Sequence, residues 1–119
     1  MISRLYRFHG RGSLNNVYRN GRTVRGPLMS LKHTETNRPN YRVAVIVSKK
    51  VHKSAVVRNR IRRRLFEVLR QAPGVNPQAS IVVTVFSDQV ASVPAPELIA
   101  QVADLLRKSE LLGPVVAEH

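Results

Sequence analysis

Apolar residues fall in two rhythms along this chain. From Tyr41 to Ser48 they run almost unbroken, as Val43, Ala44, Val45, Ile46 and Val47, the pattern of a strand buried on both faces. A second such run, Ile81, Val82, Val83, Val85 and Phe86, lies within Ser80 to Ser87. Between the two runs the period changes. Over residues 54–71, Val57, Ile61, Leu65, Val68 and Leu69 recur at helical spacing, which predicts one helix with a single buried stripe, ended by Pro73-Gly74. Leu98, Ile99, Val102, Leu105 and Leu106 mark another helix, opened by Ser92, Pro94 and Pro96 and stopped by Gly113-Pro114.

The first forty residues are patterned less sharply. Residues 11–20 read as a short helix with Ser13 as N-cap and Gly21 at its end. Residues 22–33 alternate weakly (Val24, Leu28, Leu31) and read as a strand interrupted near Gly26-Pro27. Thr36 to Asn40 is a turn. The order is α-β-β-α-β-α, with room for one more strand or hairpin early. That is an α+β sandwich, helices packed on a small sheet. The length, 119 residues, suits one domain over 1–119 with a frayed tail at 113–119.

Charge changes the picture. The formal net charge is +13, from 20 Lys and Arg against 7 Asp and Glu. Residues 1–70 carry 18 basic and 2 acidic side chains, a net of +16, while residues 71–119 carry 2 basic and 5 acidic, a net of −3. Self-repulsion on this scale opposes compaction, so the excess points to a polyanionic partner, nucleic acid before membrane. The chain contains no Cys, which excludes disulfides and Cys-based zinc sites. Met1 to Gly10 contains Arg4 and Arg7 and no apolar stretch of signal-peptide length. No segment approaches the roughly 20 apolar residues of a membrane span. The expectation is a cytoplasmic protein without a membrane partner.

The basic residues are densest from Lys49 to Arg70, where nine of them meet one acid, Glu67. At roughly 100° per residue, Asn59, Arg60, Arg63, Glu67 and Arg70 fall opposite the apolar stripe, whereas Arg58 falls nearer to it. Arg grips phosphate with a planar fork and stacks on bases. Lys49, Lys50 and Lys53 add point charges beside the helix N-terminus, whose free N–H groups also favour phosphate. A merely solvated charged face would carry balancing acids. Here an Arg63–Glu67 pair at i,i+4 would offset only one charge.

The order of these residues is more specific than their charge. Ser48-Lys49-Lys50 at the end of a hydrophobic strand, followed by Arg58-Asn59-Arg60-Ile61-Arg62-Arg63, resembles the signature of the bacterial ribonuclease P protein component. The resemblance is sharp from Arg42 to Leu65, fair over 4–21 and only topological after Pro73. It implies a ribosomal-protein-like two-layer sandwich with a left-handed βαβ crossover. It further implies an accessory subunit that binds a catalytic RNA and the 5′ leader of precursor tRNA, assisting removal of the leader, with magnesium held mainly by the RNA. Lys49, Lys50, Arg58, Asn59, Arg60, Arg62 and Arg63 match the family's RNA-contacting positions; Lys53 and Arg70 join them as candidates by charge. Phe8, Leu14 and Tyr18 are the candidates for the leader cleft. The family pattern has a second aromatic where Leu14 stands, Arg or Lys at Phe66, Tyr near Lys32 and Arg near Val85, so the cleft looks diverged while the hold on the RNA subunit looks intact.

Other constellations carry less. Phe8 is equally readable as a core residue, Tyr41 as structural, and Phe66 as a second hydrophobic contact or a stacking site. His9, His33, His52 and His119 lack metal-ligand spacing, and His52 reads as an ordinary exposed residue of the basic loop. The dispersed acids offer no paired carboxylates, and no Ser has a partner arrangement for nucleophilic catalysis, so the isolated chain is expected to cut nothing. The competing readings are a ribosomal or other structural RNA-binding protein, a free-standing nuclease, and a helix-turn-helix DNA binder. The buried strand after the basic helix argues against the last of these.

Overall fold

In a computed structural model of the chain, the structure describes Val17, Arg19 and residues 21–35, 42–71 and 79–109. Four strands, β1 (Arg22–Arg25), β2 (Met29–Glu35), β3 (Arg42–Ile46) and β4 (Ala79–Val85), form one mixed sheet in the order β1-β2-β4-β3. Helix α1 (Ala55–Gln71) joins β3 to β4, which pair in parallel; a 3-10 helix (Asp88–Ala91) and helix α2 (Ala95–Lys108) follow. This is the expected α+β architecture.

The weak early strand resolves into a hairpin. β1 and β2 pair antiparallel, and the Gly26 N–H closes the turn on the Met29 carbonyl at 2.8 Å. The interruption at Gly26-Pro27 is therefore the hairpin turn itself. Among the described residues, the sheet is covered chiefly on one side. Met29, Leu31, Val43, Val45, Val47, Ile81, Val83 and Val85 face α1 and α2 and bury there against Ile61, Leu65, Leu69, Leu98 and Leu105.

β4 lies between β2 and β3, and Val82 is buried on the opposite face as well. β3, at the sheet edge, is fully buried on the core side only: Ala44 and Ile46 are half-buried. Phe86, expected in the buried run, is 43% exposed. The strand ends at Val85, and alternation turns Phe86 to the side away from the core.

Helix α1 buries Ile61, Leu65, Leu69 and also Phe66. The burial of Phe66 makes it a hydrophobic contact and not a stacking site, because the 3-10 helix and α2 pack beside α1 and add Val90, Val93 and Val102 to the same core. Ser92 closes the 3-10 helix instead of opening α2, whose N-cap is Pro94 with Pro96 in its first turn. Ile99 is 48% exposed, because one residue beyond Leu98 rotates away from the sheet. α2 ends at Lys108, before the expected stop at Gly113-Pro114, where the buried Ser109 donates its hydroxyl to the Leu106 carbonyl at 2.9 Å.

Val17 and Arg19 are helical, and the Gly21 N–H bonds the Val17 carbonyl at 2.8 Å. A Cβ on Gly21 would sit 2.9 Å from the His33 carbonyl and 3.1 Å from the Lys32 Cγ. Only glycine lets this turn pack so close to β2. The rest of the predicted helix over 11–20, the turn Thr36 to Asn40, Tyr41, Pro73-Gly74 and the tail at 113–119 lie outside the described residues.

Candidate nucleic-acid interface

The loop from β3 to α1 is built by its own polar groups. The Val51 N–H donates to the Ser48 carbonyl at 3.0 Å, and the Ser54 N–H donates to His52 Nδ1 at 3.0 Å. The Ser54 hydroxyl accepts from the Val57 N–H at 3.4 Å and opens the helix. His52 is thus half-buried and part of the loop's bracing, not the ordinary exposed residue expected. Lys49, Lys50 and Lys53 stand exposed around this turn, beside the helix N-terminus, and no acid occupies the first turn of α1.

The arginines of α1 divide into two sets. Arg60 and Arg63 are exposed, hold no hydrogen-bond or ion-pair partner among the described residues, and line a shallow depression of about 400 Å³ with Arg64 and Glu67. The second set reaches inward. Arg58 Nη1 donates to the carbonyls of His52 and Lys53, both at 2.9 Å. Arg62 donates to Asn59 Oδ1 at 2.7 Å and to the Val47 carbonyl at 3.3 Å. Arg64 donates to the carbonyls of Val90 at 2.7 Å and Val93 at 2.6 Å, tying α1 to the 3-10 helix.

Helix rotation explains the division. Phe66, outside the stripe read from the sequence, widens the buried arc of α1 so that Arg58 and Arg62 fall within it, while Arg64 flanks its other edge. All three are half-buried. Their stems pack while their forks satisfy backbone carbonyls that would otherwise lack donors. Arg64 was absent from the candidate set. Its place next to Leu65, at the border of the stripe, was the signal available.

Glu67 pairs with Arg70 at i,i+3, a different partner from the Arg63 expected. The hydrogen bond from Arg70 holds the Glu67 carboxyl below its ordinary range, with Gln71 donating a further bond at 2.9 Å, and Glu67 in turn raises the Arg70 guanidinium. Arg70 is exposed, with its charge partly matched by Glu67. Phe8, Leu14 and Tyr18 lie outside the described residues. Lys32 stands on the sheet face opposite the core, where the Val17–Gly21 turn meets β2, and Val85 is buried in the core.

No helix among the described residues is long and apolar enough to cross a membrane. The five exposed cations Lys49, Lys50, Lys53, Arg60 and Arg63, on a loop and helix fixed by inward-reaching arginines, form a surface suited to a phosphate backbone.

Known proteins with this pattern and fold agree. A Thermus aquaticus ribonuclease P protein component is 43% identical over 94 residues, covering 79% of this chain and 54% of the relative, so the chain spans about half the length of the Thermus protein. A Pseudanabaena protein of the same name is 36% identical over 115 residues, covering 94% of this chain and 97% of the relative. The solved Staphylococcus aureus RNase P protein shares the fold, with a TM-score of 0.78 at 18% identity over 91% of this chain and 98% of that one. The sequence pattern of the Ribonuclease P family matches residues 2–110, and the chain belongs to the ribonuclease P protein family.

Proposed function

We propose that the chain is the protein subunit of a ribonucleoprotein endoribonuclease that removes the 5′ leader from precursor tRNA. The observation that carries this reading is the conjunction of the family match with an exposed, acid-poor basic surface on the strand–loop–helix unit of that family. The same family match favours it over a ribosomal or other structural RNA-binding role.

In this reading Lys49, Lys50, Lys53, Arg60 and Arg63 contact phosphates of the RNA subunit. Arg58, Asn59, Arg62 and Arg70 shape and charge the same surface. Phe8, Leu14 and Tyr18 belong to the leader cleft. The protein neutralises charge and positions the leader; the chemistry belongs to the RNA. Magnesium is held mainly by RNA phosphates. The working compartment is the cytoplasm, and DNA is not a partner.

The test is cleavage of 5′-labelled precursor tRNA with magnesium, using protein alone, RNA subunit alone and both together. The expected result is no cleavage by the protein alone, and stimulation of the RNA subunit at low magnesium. Specific cleavage at the mature 5′ end by the RNA-free protein would overturn the accessory role. Absence of stimulation would overturn the assignment.

A further inference from the structure

The β1–β2 hairpin turn and one flank of α2 enclose an open trough of about 280 Å³ at the β1 edge of the sheet. Met29 and Leu105, both buried in the core, form its floor, and the exposed Pro27 and Ala100 form its walls. Turn and helix come this close because Gly26 has no side chain; a Cβ there would touch Leu105 Cδ2 at 3.4 Å and narrow the floor. The rim is polar and of one kind. Glu97, Gln101 and Asp104 stand at i, i+4 and i+7 on the same flank of α2. No Lys or Arg among the described residues lines the trough.

Gln101 shows what this rim lacks. Its Nε2 donates to Glu97 Oε2 at 3.3 Å. A carboxylate only accepts, so this bond fixes which way the amide points. Gln101 Oε1 is thereby turned inward, where it is buried and accepts no hydrogen bond among the described residues. Buried acceptors are ordinarily paired, and here the neighbouring rim side chains are acceptors too. Glu97 receives only that one long bond among the described residues. Asp104 is held by Lys108 at 3.1 Å and Arg107 at 3.8 Å, exposed ion pairs of a kind that contribute little and exchange readily. The trough is short of donors.

We propose that this trough docks an arginine side chain of a protein partner. The inference goes beyond the RNA-binding reading and does not depend on it. A guanidinium carries its N–H donors in one plane and has no acceptor. Its fork takes the Glu97 carboxylate, which releases the Gln101 amide to turn Oε1 onto a remaining donor. The aliphatic stem then covers Met29 and Leu105. Lysine fits less well, because its ammonium is a strongly hydrated point charge. Nucleic acid is the wrong occupant, since the two carboxylates repel phosphate. The place also suits a second partner. α2 lies against β1, while α1 lies against β3 at the opposite edge of the sheet. A protein held at the trough therefore leaves the basic surface of α1 open to RNA.

The test presents arginine as a polypeptide does, with both ends blocked. The full chain, isotope-labelled, is titrated with N-acetyl-arginine amide while NMR follows the Gln101 side-chain amide and the Gly26 N–H. N-acetyl-citrulline amide, the uncharged isostere, is the control. The proposal expects saturable shifts at both groups, with a dissociation constant on the order of 1 mM for so small a ligand. The citrulline probe should bind the unmodified chain at least about tenfold more weakly, and so should the arginine probe bind Glu97→Gln, each having lost a charge-assisted pair. Ala100→Leu, at an exposed helix position, keeps the fold, fills the trough and should abolish the shift at Gly26. Absence of saturable shifts at the two groups overturns the proposal. So does equal affinity for the citrulline probe, undiminished affinity in Glu97→Gln, or binding that survives Ala100→Leu.

Discussion

On one helix, Arg60 and Arg63 face solvent without partners among the described residues, while Arg58, Arg62 and Arg64 close hydrogen bonds onto backbone carbonyls of three different segments. The residue type is the same and the consequence opposite. The outward pair offers charge to a ligand. The inward three spend their donors on the loop Ser48–Ser54, the end of β3 and the 3-10 helix, and so fix where the outward pair sits. A basic surface is rigid only if something holds it, and here other arginines do much of the holding.

The comparison breaks first at the core that both sets share. Leu65 is fully buried beneath α1. Leu65→Ala should destabilise the fold by about 2–5 kcal/mol, read by denaturant unfolding, and should degrade both sets together. Arg64→Ala separates them. Its loss leaves two partly buried carbonyls without their charged donor, a cost of about 1.5–3 kcal/mol. The melting temperature should fall by several degrees, while the salt dependence of RNA binding changes by less than one phosphate contact. An unchanged melting temperature would place Arg64 with the outward set.

The smallest effect belongs to Glu67. Its carboxyl is lowered by the Arg70 hydrogen bond, so the pair's contribution is present above the ordinary carboxylate pKa and lost as pH falls through the lowered one. Stability curves of the unmodified chain and Glu67→Gln should therefore differ slightly at neutral pH and converge on acidification. Curves that diverge toward low pH would contradict this sign.

Much of the fold was legible because its signals were local. The runs at 43–47 and 81–85 and the stripe Val57, Ile61, Leu65, Val68 and Leu69 needed no tertiary knowledge. The hairpin at Gly26-Pro27 was half-visible as an interruption. The 3-10 helix Asp88–Ala91 was missed, since four residues carry no period. The exposures of Phe86 and Ile99 depend on where a strand stops and which side of a helix meets the sheet. For the site, charge and motif located the surface, but the split among its arginines depended on Phe66. A phenylalanine away from the stripe reads equally as a second hydrophobic contact or a stacking site until the 3-10 helix and α2 pack against it. Once buried, it widens the buried arc and draws Arg58 and Arg62 inward.

The most direct test is the salt dependence of binding to the ribonuclease P RNA, measured for Arg60→Ala/Arg63→Ala beside the unmodified chain. If these two side chains neutralise phosphates, the slope of log affinity against log salt should flatten by about 1.4 to 1.8, with the melting temperature unchanged. A slope equal to that of the unmodified chain would contradict the account, because the two freest arginines of the helix would then touch no RNA.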